Sequence, residues 1–356
     1  MASLTETAYV ARKGIKFGVA GLIGVIVLWF VGTGFISWWQ ATHPEPPPPP
    51  AVEFGLLEPI VWPKSGKTAE YELQTPDGTT GRFTDRMKVF FVPEKKSSFA
   101  DVDKATEIAR KFDFLFEPTQ INPTTYRWTK QDPLPQAIEV NIVTHNFALK
   151  KQWSADPTLV TQKRFTSDKE QVMEAQNVLR SAQLLSPDLS GNERVSYWRS
   201  QGSKLISAVS LSEADFVRVD FYRKAWEEKG LGDKVTSSYS FMPMKPERGL
   251  AYVLLAGNND TKKRVLEVDF QYHAVEYQTM GTYPIKTSLE AFEELKAGSG
   301  YLASFEGKGS AVIRRVSLGY IDTVDNRYTM PIYIFTGDDQ LVAMVSAVRS
   351  DLLQVN

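Results

Sequence analysis

The chain is expected to be an α+β protein held on an N-terminal transmembrane helix, and three observations carry that expectation. Phe17 to Trp39 is an apolar run of 23 residues with neither charge nor proline, and the prolines Pro46 to Pro50 follow it. Beyond them, alternating strand patterns outnumber helical ones, with turn residues in between.

As a helix rising about 1.5 Å per residue, the apolar run covers about 34 Å, enough to cross a hydrocarbon core of about 30 Å. Phe17, Leu28, Trp29 and Phe30 are the anchor's lipid-facing residues, and Trp38 and Trp39 suit the far interface, where an indole buries its ring and hydrates its N–H. Arg12, Lys13 and Lys16 precede the run, and no Lys or Arg follows it until Lys64. Positive charge stays inside. Residues 1–16 are therefore expected in the cytoplasm, 17–39 in the plasma (inner) membrane and the rest outside the cytosol, the arrangement of an uncleaved signal anchor.

A cleaved secretory signal needs a shorter apolar core ending in small residues; Gly32 and Gly34 are followed instead by Phe35, Ile36, Trp38 and Trp39. Ala20 with Gly24, and Gly14 with Gly18, are spaced to seat a second helix, which leaves a homo-oligomer open. Residues 40–66 read as an extended, proline-rich spacer, since consecutive prolines fix φ and favour polyproline II.

The remainder has the composition of a globular domain, with 42% hydrophobic and 23% charged residues, enough for a core without a disorder signature. A net charge of −1 gives no basic footprint for nucleic acid. The absence of cysteine removes disulfides, thiolate metal sites and thiol nucleophiles together. A large disulfide-free domain outside the cytosol points to a bacterial envelope.

Three helices are expected. The first opens at Ser98 with Asp101 three residues on, and carries Val102, Ala105, Ile108, Ala109 and Phe112 on one face. The second is capped by Ser167 and Glu170, with Val172, Ala175, Val178, Leu179 and Ala182 inward. The third runs from about Ser288 to Ala297, with Leu289, Phe292 and Leu295 inward and Gly298 ending it.

Strands are expected at Lys88–Val92, Ile138–Val143, Val195–Trp198, Val217–Tyr222, Ala251–Leu255, Val265–Tyr272, Val312–Tyr320, Ile332–Phe335 and Val342–Val348. Val217, Val219 and Phe221 share one face and Arg218 and Asp220 the other, as in a half-buried antiparallel strand. A boundary near Asp156-Pro157, or just before Ser167, divides the domain into lobes of 67–160 and 161–356.

Helix one leads into Tyr126-Arg127-Trp128 and the strand from Ile138; helix three leads into Tyr301–Phe305 and the strand from Val312. With the run Val316 to Tyr320, the run Met330 to Phe335, Val342 to Val348 and the single anchor, this pattern resembles the YycH and YycI group of bacterial membrane proteins. The resemblance implies PepSY-like or cystatin-like modules and an extracytoplasmic regulator that contacts a membrane sensor kinase controlling cell-wall upkeep.

Catalytic signatures are lacking. His43, His145 and His273 form no i, i+4 pair for zinc, and neither G-x-S-x-G nor a phosphate-cradling loop occurs. The loop of Asp322, Asp325 and Asn326 lacks the alternating ligands of a calcium loop. Glu290, Glu293 and Glu294 read as a solvated helix face. Trp62, Trp128, Trp153, Trp198 and Trp226, with Tyr320, Tyr328 and Tyr333, are candidates for a binding groove or for core.

No catalytic, metal or cofactor residue is expected, and the chain is read as a non-enzyme. The expected function is a single-pass, membrane-anchored binding, scaffold or regulatory protein that uses the lipid bilayer as anchor and a membrane or envelope protein as partner. The alternative is a cell-wall hydrolase or transferase using an unrecognised carboxylate pair.

Overall fold

The computed structural model describes residues 4–42, 49–63, 69–96, 101–230 and 233–354. They divide into two units, Met1–Pro49 and Pro50–Asn356.

The first unit is a single helix, α1 (Leu4–Thr42). Its segment Lys16–Trp39 has a mean hydropathy of 2.3 and is not buried anywhere against protein. By length and composition this helix is apolar enough to cross a bilayer. The helix continues past residue 40, so the expected spacer begins later than the sequence suggests; residues 43–48 lie outside the described residues.

The second unit is α+β and mostly antiparallel. Its course begins with β1 (Tyr71–Leu73), β2 (Arg86–Phe91), α2 (Asp101–Lys111), β3 (Thr119–Asn122), β4 (Thr125–Lys130), β5 (Gln136–Asn141) and β6 (Phe147–Lys151). The short α3 (Thr158–Thr161) precedes α4 (Asp168–Ser181), β7 (Glu193–Gln201), β8 (Lys204–Ser207), β9 (Phe216–Phe221), β10 (Trp226–Lys229), β11 (Val235–Pro243) and β12 (Ala251–Ala256). Then come α5 (Thr261–Arg264), β13 (Val265–Phe270), β14 (Glu276–Pro284), α6 (Ser288–Lys296), β15 (Tyr301–Ser304), β16 (Ala311–Asp322), β17 (Tyr328–Thr329), β18 (Pro331–Gly337) and β19 (Val342–Ser346).

These strands form a nine-stranded sheet, ordered β3-β4-β5-β6-β13-β12-β9-β7-β8, a seven-stranded sheet and the small sheet β14-β2-β17. In the seven-stranded sheet the long β16 pairs antiparallel with β18 on one side, while β1 and β11 lie parallel to it at its two ends.

The lobes expected at 67–160 and 161–356 need correction. β6 pairs with β13 through Phe147–Phe270 and Leu149–Val268, so the nine-stranded sheet runs straight through the expected boundary. The physical reason is burial: Ala105, Ile108 and Ala109 of α2 share one core with Ala175 and Leu179 of α4, under Ile138, Val219, Val253 and Val268. A single core cannot be cut without exposing apolar area worth about 25 cal/mol per Å².

The spacer assignment of 40–66 needs a second correction. Leu57 and Ile60 are buried with Val89, Tyr283 and Ile332, and Leu57 N donates to the Leu352 carbonyl at 2.9 Å. Apolar side chains placed after the prolines found a core to enter. Residues 64–68 lie outside the described residues.

The helices follow local chemistry. Ser167 caps α4 by accepting from Glu170 N, and Thr287 with Glu290 forms a reciprocal capping box on α6. Gly298, at φ +83°, follows α6 in the left-handed region that glycine enters without strain. Leu289 is exposed, however, and Ala291 takes its place against Phe292 and Leu295. Ser98, the expected cap of α2, lies outside the described residues.

Candidate functional site: a polar cleft where three sheets meet

Arg223, directly after β9, has a side chain with no exposure to solvent. Its Nη2 donates to the His273 carbonyl at 2.7 Å, its Nε to Asp322 Oδ2 at 3.1 Å, and its Nη1 to Asp188 Oδ2. The guanidinium also lies 5.2 Å from the Tyr272 ring and 5.6 Å from that of Phe241. Asp322 ends β16 and Asp188 precedes β7, so one guanidinium ties the seven-stranded sheet to the nine-stranded sheet.

Burial opposes charge on Arg223, but Asp322 and its other neighbours outweigh it and raise its pKa above the ordinary value. Burial likewise pushes Asp322 up, and Arg223 together with His273 more than offsets it, holding the carboxyl below the usual carboxylate range. His273 Nε2 stands 3.1 Å from Asp322 Oδ1.

Beside this bolt opens a cleft of about 340 Å³. Its walls come from all three sheets: Val92 after β2, Asn146 from the β5–β6 turn, His273 after β13 and Asn326 from the loop between β16 and β17. Asn146, His273 and Asn326 are each only 8% exposed. Among the described residues, Asn146 Oδ1, His273 Nδ1 and Asn326 Nδ2 have no hydrogen-bond partner. Buried polar groups of a native protein are almost always paired, so three orphans lining one cleft mark a surface built for something polar.

Lys95 and Tyr272 line this cleft and also an adjoining one of about 270 Å³ that holds His145 and Gln183. His145 sits at φ +59°, a strained setting for a residue with a Cβ, within a turn whose Asn141 side chain accepts from Val143 N and Thr144 N. Burial, then Lys95 and Lys104, lower its pKa, and Asp101 at 4.0 Å only partly offsets them. Burial and Lys104 similarly lower Lys95, whose Nζ donates to the Thr144 carbonyl at 2.5 Å.

A second cleft, of about 390 Å³, is lined by Arg194, Arg218, Asp220, Glu247 and Thr336 among others. Asp220 accepts from Arg218 Nε at 2.7 Å and from Gly249 N at 3.0 Å. Burial nevertheless raises its pKa, against the pull of Arg218. The Arg218–Asp220 face of β9 is enclosed rather than solvated as its alternation suggests, because it faces a cleft shared with Pro246, Glu247, Thr336 and Leu341 instead of open solvent.

The sequence-derived anchor residues Phe17, Leu28, Trp29, Phe30, Trp38 and Trp39 all present exposed side chains on α1, as do Lys13 and Lys16; Arg12 lies one residue before Lys13 on the same helix. The aromatic candidates went mostly to core. Trp128, Tyr320 and Tyr333 are buried, Trp226 stacks on Tyr277 at 5.2 Å, and Trp62 stacks on Tyr301 at 5.7 Å. Glu294 is not simply solvated, since it holds the buried Lys286 ammonium at 2.6 Å.

The acidic loop divides. Asp322 faces Arg223 and His273, whereas Asp325 and Asn326 line the cleft. No family model matches the chain, and no curated protein or solved structure matches it either.

Proposed function

We propose that this protein is a single-pass, membrane-anchored binding protein of a bacterial cell envelope, with its N-terminus in the cytoplasm and its α+β unit outside. The observation that carries this reading is α1, whose segment Lys16–Trp39 is long and apolar enough to cross a membrane. Arg12, Lys13 and Lys16 favour the inward N-terminus. Confinement to the membrane raises the effective concentration of the α+β unit toward a membrane or envelope partner. The helix-then-strand units, α2 with β3–β6 and α6 with β15–β19, support kinship with the YycH and YycI group, which would make the partner a sensor kinase.

The test is alkaline carbonate extraction of cells making the full chain, followed by protease added to intact spheroplasts. The expected result is a protein that pellets with membranes, keeps its N-terminal residues by mass and loses the α+β unit to external protease. A soluble product lacking residues up to the Gly34 region would overturn the anchor in favour of a cleaved signal.

The enzyme alternative has one observation in its favour: Asp220 is a buried carboxyl with a raised pKa in a cleft that also holds Glu247. That reading requires turnover of cell-wall fragments, and a loss of about a hundredfold in Asp220→Asn, the scale of a general acid. Absence of turnover by the full chain removes it.

A further inference from the structure

The cleft beside Arg223 combines features that together describe a ligand. Asn146 and Asn326 offer side-chain amides, and an amide is the natural partner of a peptide group, accepting from its N–H and donating to its C=O. Their unpaired atoms are an acceptor and a donor respectively, with the unpaired His273 Nδ1 between the same walls. Lys95 stands where this cleft meets the one holding His145, and Arg327 adds a second cationic side chain to the lining.

A lysine ammonium at the rim of a cleft gains from a carboxylate, with which it forms a charge-assisted hydrogen bond. The cleft is not uniformly cationic, because Glu94 and Asp325 also line it, opposite in sign to Lys95 and Arg327. Mixed charge disfavours a polyanion. At about 340 Å³ the cavity lies at the small end of ligand sites, so the occupant is short.

We propose that this cleft binds the carboxyl-terminal end of a short peptide, with Asn146, His273 and Asn326 pairing with its amide groups and Lys95 with its terminal carboxylate. This deepens the binding reading above, and rests on the α+β unit acting as a receptor. It does not depend on which side of the membrane that unit occupies. Carboxylate capture combined with peptide-group pairing is a recurrent mode of peptide recognition. The three orphaned atoms lie just beneath the cleft surface, and a turn of each side chain toward the ligand would satisfy them.

The experiment is calorimetric titration of the full-length protein in detergent micelles with N-acetyl-dialanine, its carboxyl-terminal amide and acetate. The acid is expected to bind saturably and the amide at least about tenfold more weakly, the scale of one lost charge-assisted bond. Lys95→Met is expected to remove that preference for acid over amide. Asn146→Leu and Asn326→Leu are expected to weaken binding by about tenfold or more without lowering the melting temperature, because each deletes an orphaned buried polar group.

Equal binding of acid and amide would overturn the carboxylate assignment, and acetate binding as tightly as the acid would reduce the site to a plain anion site. No saturable binding of the acid overturns the proposal. A melting temperature lowered by both asparagine variants would show that their role is structural, and overturn it as well. Carbonate extraction of the same preparation reports on the anchor separately, so failure of the ligand and failure of the membrane reading are distinguishable.

Discussion

Two buried arginine–aspartate pairs, a few residues apart on and just after β9, behave in opposite ways. Arg218 touches Asp220 at 2.7 Å, and Asp220 is nevertheless pushed up in pKa. Arg223 touches Asp322 at the longer distance of 3.1 Å, and Asp322 is held down. Separation alone does not decide the sign.

What differs is how much solvent screens the cation and what the carboxylate's second partner is, a backbone N–H of Gly249 for Asp220 and the His273 ring for Asp322. Arg218 is 11% exposed and spends Nη2 on the Glu247 carbonyl, whereas Arg223 is wholly enclosed and Asp322 also has His273 beside it. The same Coulomb attraction counts for more where the dielectric is lower. One pair thereby becomes a bolt between sheets, and the other leaves a carboxyl whose pKa burial raises.

The largest expected effect comes from Arg223→Met. It strands Asp322 and Asp188 without their shared cation and is expected to cost about 3–5 kcal/mol in urea unfolding, as breaking a buried pair from one side does. Arg218→Met is expected to cost less, about 1–3 kcal/mol, because Asp220 can answer by taking up a proton. Equal losses in the two variants would break the comparison.

The finest discrimination is in pH dependence. Asp322 has a folded pKa below its unfolded value of about 3.9, so its contribution is complete above that value and is lost as pH falls through the folded pKa. Asp220 has a folded pKa above its unfolded value, so its contribution is greatest at low pH and shrinks as pH rises through the window between the two. Urea midpoints measured from about pH 3 to about pH 6 should therefore show Asp322→Asn flattening the acid-side fall in stability and Asp220→Asn steepening it. Each tenfold difference in proton affinity between the folded and unfolded chain makes such a change worth about 1.4 kcal/mol.

The two sites are unequally legible in the sequence. Local signals read correctly: the Ser167 cap and the Gly298 stop both depend on residues a few positions apart, whereas the alternation of β9 finds the strand but not the burial of its polar face. Leu289 misleads because a nine-residue helix shows a period without showing which edge of the stripe the core will take; Ala291 fills it instead. The prolines of residues 46–50 overshadow Val52, Phe54, Leu57 and Ile60, whose apolar character is the signal that the following segment packs.

The cleft is beyond reach for a different reason. Asn146, His273 and Asn326 are ordinary polar residues far apart in the chain, and their meaning lies in one side-chain atom of each that has no partner among the described residues once folded. In the sequence His145 and His273 stand out only as metal ligands, and Asp322 only as a calcium ligand, while Arg223 does not stand out at all. Arg223 directly follows the apolar pair Phe221-Tyr222 at the end of a strand, which is the available hint of an enclosed cation.

The pairing of β6 with β13 has a consequence for the newborn chain. During synthesis Phe147–Lys151 emerges long before Val265–Phe270, so its outer backbone groups wait unmatched while more than a hundred intervening residues are made. A polypeptide severed near residue 160 would yield two fragments bearing complementary raw edges, and hydrogen bonds between those edges, with the apolar layer beneath α2 and α4, would draw the halves back together.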